Sequence, residues 1–66
     1  MNNNVAERRS ERGWSQVDLA ARLGVSRQTV ISIERGRYDP SLPLAFALAG
    51  AFDCRIEDLF SPLDSE

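Results

Sequence analysis

An all-α fold of five short helices is what this 66-residue chain predicts, and three observations predict it. Apolar residues recur at helical spacing: Leu19, Ala20 and Leu23 in one segment, Val30 and Ile33 in the next, and Leu42, Ala45, Leu48, Ala49 and Phe52 in a third. Ser15, Ser26 and Ser41 stand where helices would start, and their hydroxyls can take up N–H groups that a first turn leaves unpaired. Gly13, Gly24, Pro40 and Pro62 stand where helices would stop. The length makes one small domain near the lower limit for a self-sufficient core. That core is expected over about residues 5–60, with a short polar tail at 61–66.

Taken in order, the first helix is expected from about Asn4 to Arg12, with an asparagine as its cap and Gly13 at its end. Its apolar face is thin, Val5 and Ala6 and little else. The second helix starts after Ser15, where Asp18 can reach back to complete a capping box and Trp14 with Leu19 can form a hydrophobic staple. Gly24 ends it, because a left-handed residue is needed there and glycine has no Cβ to clash. Ser26 caps the third helix, and Val25 with Val30 repeats the staple. RYDPSLP is a loop by composition, and Ser41 then caps a fourth helix over about Leu42–Phe52, with Pro43 tolerated in its first turn. Phe46 lies off the apolar face of that helix. Asp53 follows it where Gly or Asn is more usual. A fifth helix is expected over about Ile56–Phe60.

The second and third helices carry a pattern of their own. Counting from Gln16, alanine falls at the fifth place, glycine at the ninth and a branched aliphatic at the fifteenth: Ala20, Gly24 and Val30. Ala20 lies where the helices would cross, and a larger side chain would push them apart. This is the residue pattern of a helix-turn-helix, whose second helix enters the DNA major groove. With WSQVDLA, LGVSRQTV, IERGRYDPSLPLA and IEDLF following in order, the chain from about Val5 to Phe60 resembles a Cro/phage-repressor-type (Xre-like) helix-turn-helix transcriptional regulator. The resembling family places an aliphatic residue where this chain has Arg8.

The resemblance implies a compact repressor-like domain and sorts residues by role. Arg27, Gln28 and Ser32 match base-contacting positions, and Ile31 beside them can touch a thymine methyl. Arg can donate twice to guanine and Gln can pair with adenine, although Arg27 on a phosphate and Gln28 as a brace are the competing roles. Gln16 matches a position that anchors to phosphate, and Thr29, Arg35, Arg37 and Tyr38 are further phosphate candidates. Arg9 and Glu34 match a structural ion pair that locks the orientation of the reading helix. Two half-sites call for a homodimer on a pseudo-palindromic operator. Phe46, Cys54, Ile56, Phe60 and Leu63 supply the apolar area such a dimer could use.

Charge supports this only when its distribution is read. The net charge is −2, yet residues 1–38 hold seven arginines against four acids and residues 39–66 hold one arginine against six acids. One half could face phosphate while the other repels it, the plain alternative being a solvated arginine face. Without histidine, and with Cys54 alone, neither a metal set nor ordinary acid–base catalysis at neutral pH has its residues, so no enzyme and no cofactor are expected. The lone cysteine suits a reducing compartment, and neither a membrane-length apolar run nor a signal peptide is seen. The expectation is a cytoplasmic DNA-binding regulator with no small-molecule ligand and no membrane contact, a repressor by resemblance. The alternative is a protein-interaction module such as the antitoxin of a toxin pair.

Overall fold

The computed structural model describes residues 2–61. In order come β1 (Asn2–Asn3), α1 (Val5–Glu11), α2 (Gln16–Leu23), α3 (Arg27–Glu34), α4 (Leu42–Phe52), α5 (Ile56–Leu59) and β2 (Phe60–Ser61). Every helix sends at least one side chain into a single core: Val5 from α1, Leu19 and Ala20 from α2, Val30 and Ile33 from α3, Leu48, Ala49 and Phe52 from α4, and Leu59 from α5. Trp14, Leu23, Val25, Leu44 and Ile56 pack around them. Among the described residues no helix is long and apolar enough to cross a membrane.

The local start and stop signals act as their chemistry dictates. Ser15 Oγ accepts from the Asp18 N–H at 3.0 Å and Asp18 Oδ2 accepts from the Ser15 N–H at 2.9 Å, completing the capping box. Ser26 and Ser41 cap α3 and α4 in the same way, accepting from Thr29 and Leu44. Gly24 takes the left-handed conformation, φ 72°. Asp53 does the same at the end of α4, φ 54°, the one described non-glycine residue that does so. At α1 the backbone cap is Asn4, but the capping oxygen belongs to Asn3, whose Oδ1 accepts from the Val5 N–H at 3.1 Å.

The all-α class holds, with its five helices, while one element is added and two details are corrected. Asn2 and Asn3 pair antiparallel with Ser61 and Phe60, so the two ends of the described chain meet. In consequence α5 ends at Leu59, Phe60 is extended, and Ser61 belongs to the ladder rather than to a tail. The rest of the expected tail, from residue 62 on, lies outside the described residues. Leu42, expected on the buried face of α4, is 64% exposed. A helical side chain leans over the turn N-terminal to itself, and as the first residue of α4 Leu42 has no turn there to cover. Phe46 is 60% exposed, as its position off the stripe implies. Cys54 is half-buried against the core.

Both helix-start carboxylates make the domain sensitive to acid. The Ser15 N–H, helped by the Ser15 hydroxyl and Arg22, holds the Asp18 carboxyl below its ordinary value of 3.8. The Arg55 N–H, helped by the Arg55 and Arg8 charges, does the same for Asp58. A carboxylate depressed in the folded state adds stability that is complete above its unfolded value and is lost as pH falls through the folded one. Thermal melting between pH 5 and 2 is therefore expected to show Tm beginning to fall near 3.8. In an Asp18→Asn/Asp58→Asn variant that acid limb should be shallower; an unchanged limb would show that neither capping carboxylate is linked to folding.

Candidate nucleic-acid interface

The turn between α2 and α3 determines what α3 shows to solvent. The N–H of Val25 donates to the Ala20 carbonyl at 3.1 Å and that of Gly24 to the Ala21 carbonyl at 3.3 Å, which closes α2 and reverses the chain. Ala20, only 4% exposed, lies in the core between the two helices. Val30 and Ile33, each 1% exposed, root α3 in that core. The opposite flank then faces outward: Arg27 and Gln28 are exposed, while Ile31 and Ser32 are half-buried. Gln28 and Ser32 line an open depression of about 230 Å³ with Ser26, Thr29 and Tyr38. Four of its five side chains bear hydroxyls, so the floor beside the helix can donate or accept hydrogen bonds.

The candidate phosphate residues divide into two groups. Arg35, the C-terminal cap of α3, is exposed, as are Arg37 and Tyr38 just beyond it. Thr29 and Gln16 are engaged within the molecule. Thr29 Oγ1 lies 3.0 Å from Ser26 Oγ, and Gln16 Nε2 donates to Glu34 Oε1 at 3.0 Å. The Gln16 amide keeps a second N–H, so this bond orients the side chain without exhausting it.

Arg9 and Glu34 meet. Arg9 Nε donates to Glu34 Oε2 at 2.7 Å and Nη2 to Oε1 at 3.4 Å, while Nη1 donates to the Trp14 carbonyl at 2.8 Å. Glu34 thus receives donors from α1 and from the start of α2 while standing at the end of α3. A carboxylate at a helix C-terminus faces the negative end of the helix dipole, and the guanidinium offsets that.

Two other arginines of the basic half, Arg12 and Arg22, are also engaged. Arg12 Nη2 donates to the Phe52 carbonyl at 2.7 Å, satisfying the end of α4. Arg22 lies 4.1 Å over the Trp14 ring, which itself stacks on Phe52 at 5.6 Å. Arg8 is half-buried. The exposed arginines in or just after α3 are Arg27, Arg35 and Arg37, the three already named as DNA-contact candidates; Arg12 and Arg22 are exposed too, but engaged. Sequence reasoning also missed Asn3, whose Nδ2 donates 2.8 Å to the Ile33 carbonyl in the last turn of α3. Its position predicted a cap and no more.

A helix-turn-helix family model matches residues 5–59, from the start of α1 to the end of α5. The chain belongs to the Cro/phage-repressor (Xre) type of helix-turn-helix family. It is a DNA-binding transcriptional regulator of that family. Over all 66 residues, 100% of both chains, it is 52% identical to an HTH-type transcriptional regulator of Methanocaldococcus jannaschii. An immunity repressor protein of Bacillus phage phi105 is 44% identical over 48 residues, 73% of this chain and 33% of that one. The crystal structure of the restriction-modification controller protein C.AhdI from Aeromonas hydrophila superimposes with a TM-score of 0.78 at 37% identity, over 86% of each chain.

The described apolar candidates line two hollows that α4 shares with α5. Ile56 and Phe60 are half-buried along a groove of about 480 Å³ whose walls include Pro40, Leu42 and Ala45. Phe46 and Cys54 border a second hollow with Ala49 and Ile56. Leu63 lies outside the described residues.

Proposed function

We propose that this protein is a cytoplasmic repressor that reads double-stranded DNA as a homodimer, laying α3 in the major groove at each half of a pseudo-palindromic operator. The observation that carries the reading is the posture of α3, with Val30 and Ile33 locked in the core and Arg27 and Gln28 held outward on the opposite flank. Arg27 reads guanine O6 and N7, Gln28 pairs with adenine, Ser32 assists within the hydroxyl-lined depression, and Ile31 meets a thymine methyl. Arg35, Arg37 and Tyr38 hold phosphates at one end of the helix. Gln16, at the positive N-terminal end of α2, holds another through the N–H that Glu34 does not use, and Thr29 adds a contact from the helix itself. Similarity to a phage immunity repressor supports repression as the outcome.

Selection of bound duplexes from a random DNA pool tests the reading directly. On the selected operator, Arg35→Ala is expected to flatten the dependence of log affinity on log salt by about one unit. Gln28→Ala should instead cost roughly 1–3 kcal/mol and relax a single operator position. Equal weakening on every sequence would remove Gln28 from the base-reading set.

A single domain spans one half-site, so two copies are needed to bind half-sites about one helical turn, roughly 34 Å, apart. Leu42 and Phe46, both more than half exposed, together with the groove along Ile56 and Phe60, support association through this face. Sedimentation at micromolar concentration is expected to show a dimer. A monomer both free and on operator DNA would overturn that part of the reading.

A further inference from the structure

We propose that Asn3 is a positioning residue for sequence reading: its side-chain amide ties the last turn of α3 to the β1–β2 ladder and sets the tilt at which Arg27 and Gln28 are presented. The inference rests on the proposed reading of DNA by α3.

Asn3 lies where three elements converge. Its backbone pairs with Phe60 across the ladder. Its Oδ1 accepts from the Val5 N–H at 3.1 Å, closing the start of α1, and its Nδ2 donates to the Ile33 carbonyl at 2.8 Å. That carbonyl also accepts from the Gly36 N–H at 2.9 Å, so both of its lone pairs are in use. A planar amide engaged at both ends cannot turn without breaking one bond. The platform behind it is held as well. The Asn4 N–H donates to the Leu59 carbonyl at 3.0 Å and Asn4 Nδ2 to the Asp58 carbonyl at 3.0 Å.

The core contacts of Val30 and Ile33 decide which flank of α3 faces outward, but they are apolar and carry no direction, so they do not by themselves set its fine tilt. Directional bonds at its C-terminal end supply that information. At 1.5 Å per residue, Ile33 and Arg27 are separated by roughly 9 Å of helix, and a tilt of about 10° at one end moves the other by about 1.5 Å. Hydrogen bonds to base edges do not survive such a shift. Long arginine side chains on phosphates can follow it. Loss of the Asn3 tie should therefore reduce discrimination between sequences more than it reduces general affinity for DNA.

Asn3→Asp and Asn3→Ser both keep an oxygen for the Val5 N–H and lose the amide donor; Ser adds no charge, which separates the tie from electrostatics. The quantity to measure is the ratio of affinities for the selected operator and for a shuffled duplex of the same length. Partial unfolding lowers both affinities by the same factor and cancels in that ratio. Both variants are expected to lose about fivefold in the ratio, the equivalent of one neutral hydrogen bond of about 1 kcal/mol. The serine variant should retain wild-type affinity and salt slope on the shuffled duplex. Asn2→Ala, which alters an exposed neighbour on the same strand, should keep the wild-type ratio. An unchanged ratio in both Asn3 variants overturns the proposal, even if Tm falls. A wild-type protein that does not discriminate between the duplexes defeats the DNA-reading proposal first, and this one with it.

Discussion

Glu34→Ala is expected to destabilise the domain by about 3–5 kcal/mol, the range seen when one partner of a buried ion pair is removed. The Glu34 side chain is 7% exposed and that of Arg9 19%. Truncation would leave the guanidinium largely out of water with only the Trp14 carbonyl to serve it. Gln16 would lose its acceptor as well. A domain of this size has only about 3–10 kcal/mol of stability to lose, so urea titration should show a large part of the variant already unfolded in buffer. Removing both partners, in Arg9→Met/Glu34→Leu, should be milder than removing Glu34 alone, because no buried charge is stranded. That order separates the damage of breaking the pair from what the pair itself adds. A Glu34→Ala midpoint equal to wild type would mean that water reaches Arg9 and that the pair locks nothing.

Phe52→Ala should be equally severe, at about 3–5 kcal/mol for a large aromatic removed from a packed core. Phe52 is 1% exposed and lies where several supports converge. Trp14 stacks on its ring at 5.6 Å, and Arg12 lies 5.8 Å from the ring while bonding the Phe52 carbonyl. Domains of this length lose about 4–8 °C of Tm per kcal/mol. Thermal melting followed by circular dichroism should thus show Tm lowered by tens of degrees or no cooperative transition. Trp14 emission should shift to the red as the stack opens. A Tm within a few degrees of wild type would mean that neighbouring side chains collapse into the space, and that the stack is not central to the core.

Much of this architecture is legible along the chain because it is made by groups close together in sequence. The Ser15–Asp18 capping box, the Ser26 and Ser41 caps and the Gly24 turn each involve residues only a few positions apart, so residue identity and spacing suffice to find them. Leu42 shows where periodicity stops being enough. Its spacing places it on the buried face, but the face has nothing to press against at the helix start. The β1–β2 ladder is two residues long on each side, too short for any alternation to register. The Arg9–Glu34 pair was legible only through resemblance to related repressors, since nothing local connects residues 25 positions apart.

The candidate site divides along the same line. Which residues lie on the outer flank of α3 follows from helical spacing and the apolar positions of Val30 and Ile33 alone. What the other arginines do does not. Arg27, Arg35 and Arg37, named along the chain as contact candidates, are exposed, and so are Arg12 and Arg22, but only the fold draws Arg9, Arg12 and Arg22 to Glu34, to the Phe52 carbonyl and to the Trp14 ring.

Helix starts, helix ends and the identity of the outward face were written in short-range chemistry, where a hydroxyl or a missing Cβ acts within one turn. The partition of the arginines, the anchoring of Gln16 to Glu34 and the tie from Asn3 to Ile33 arose only on folding. Apart from Arg22 on Trp14, these contacts join groups that packing brings together from 18 to 40 positions apart, and a long polar side chain takes whichever partner the fold places within its reach.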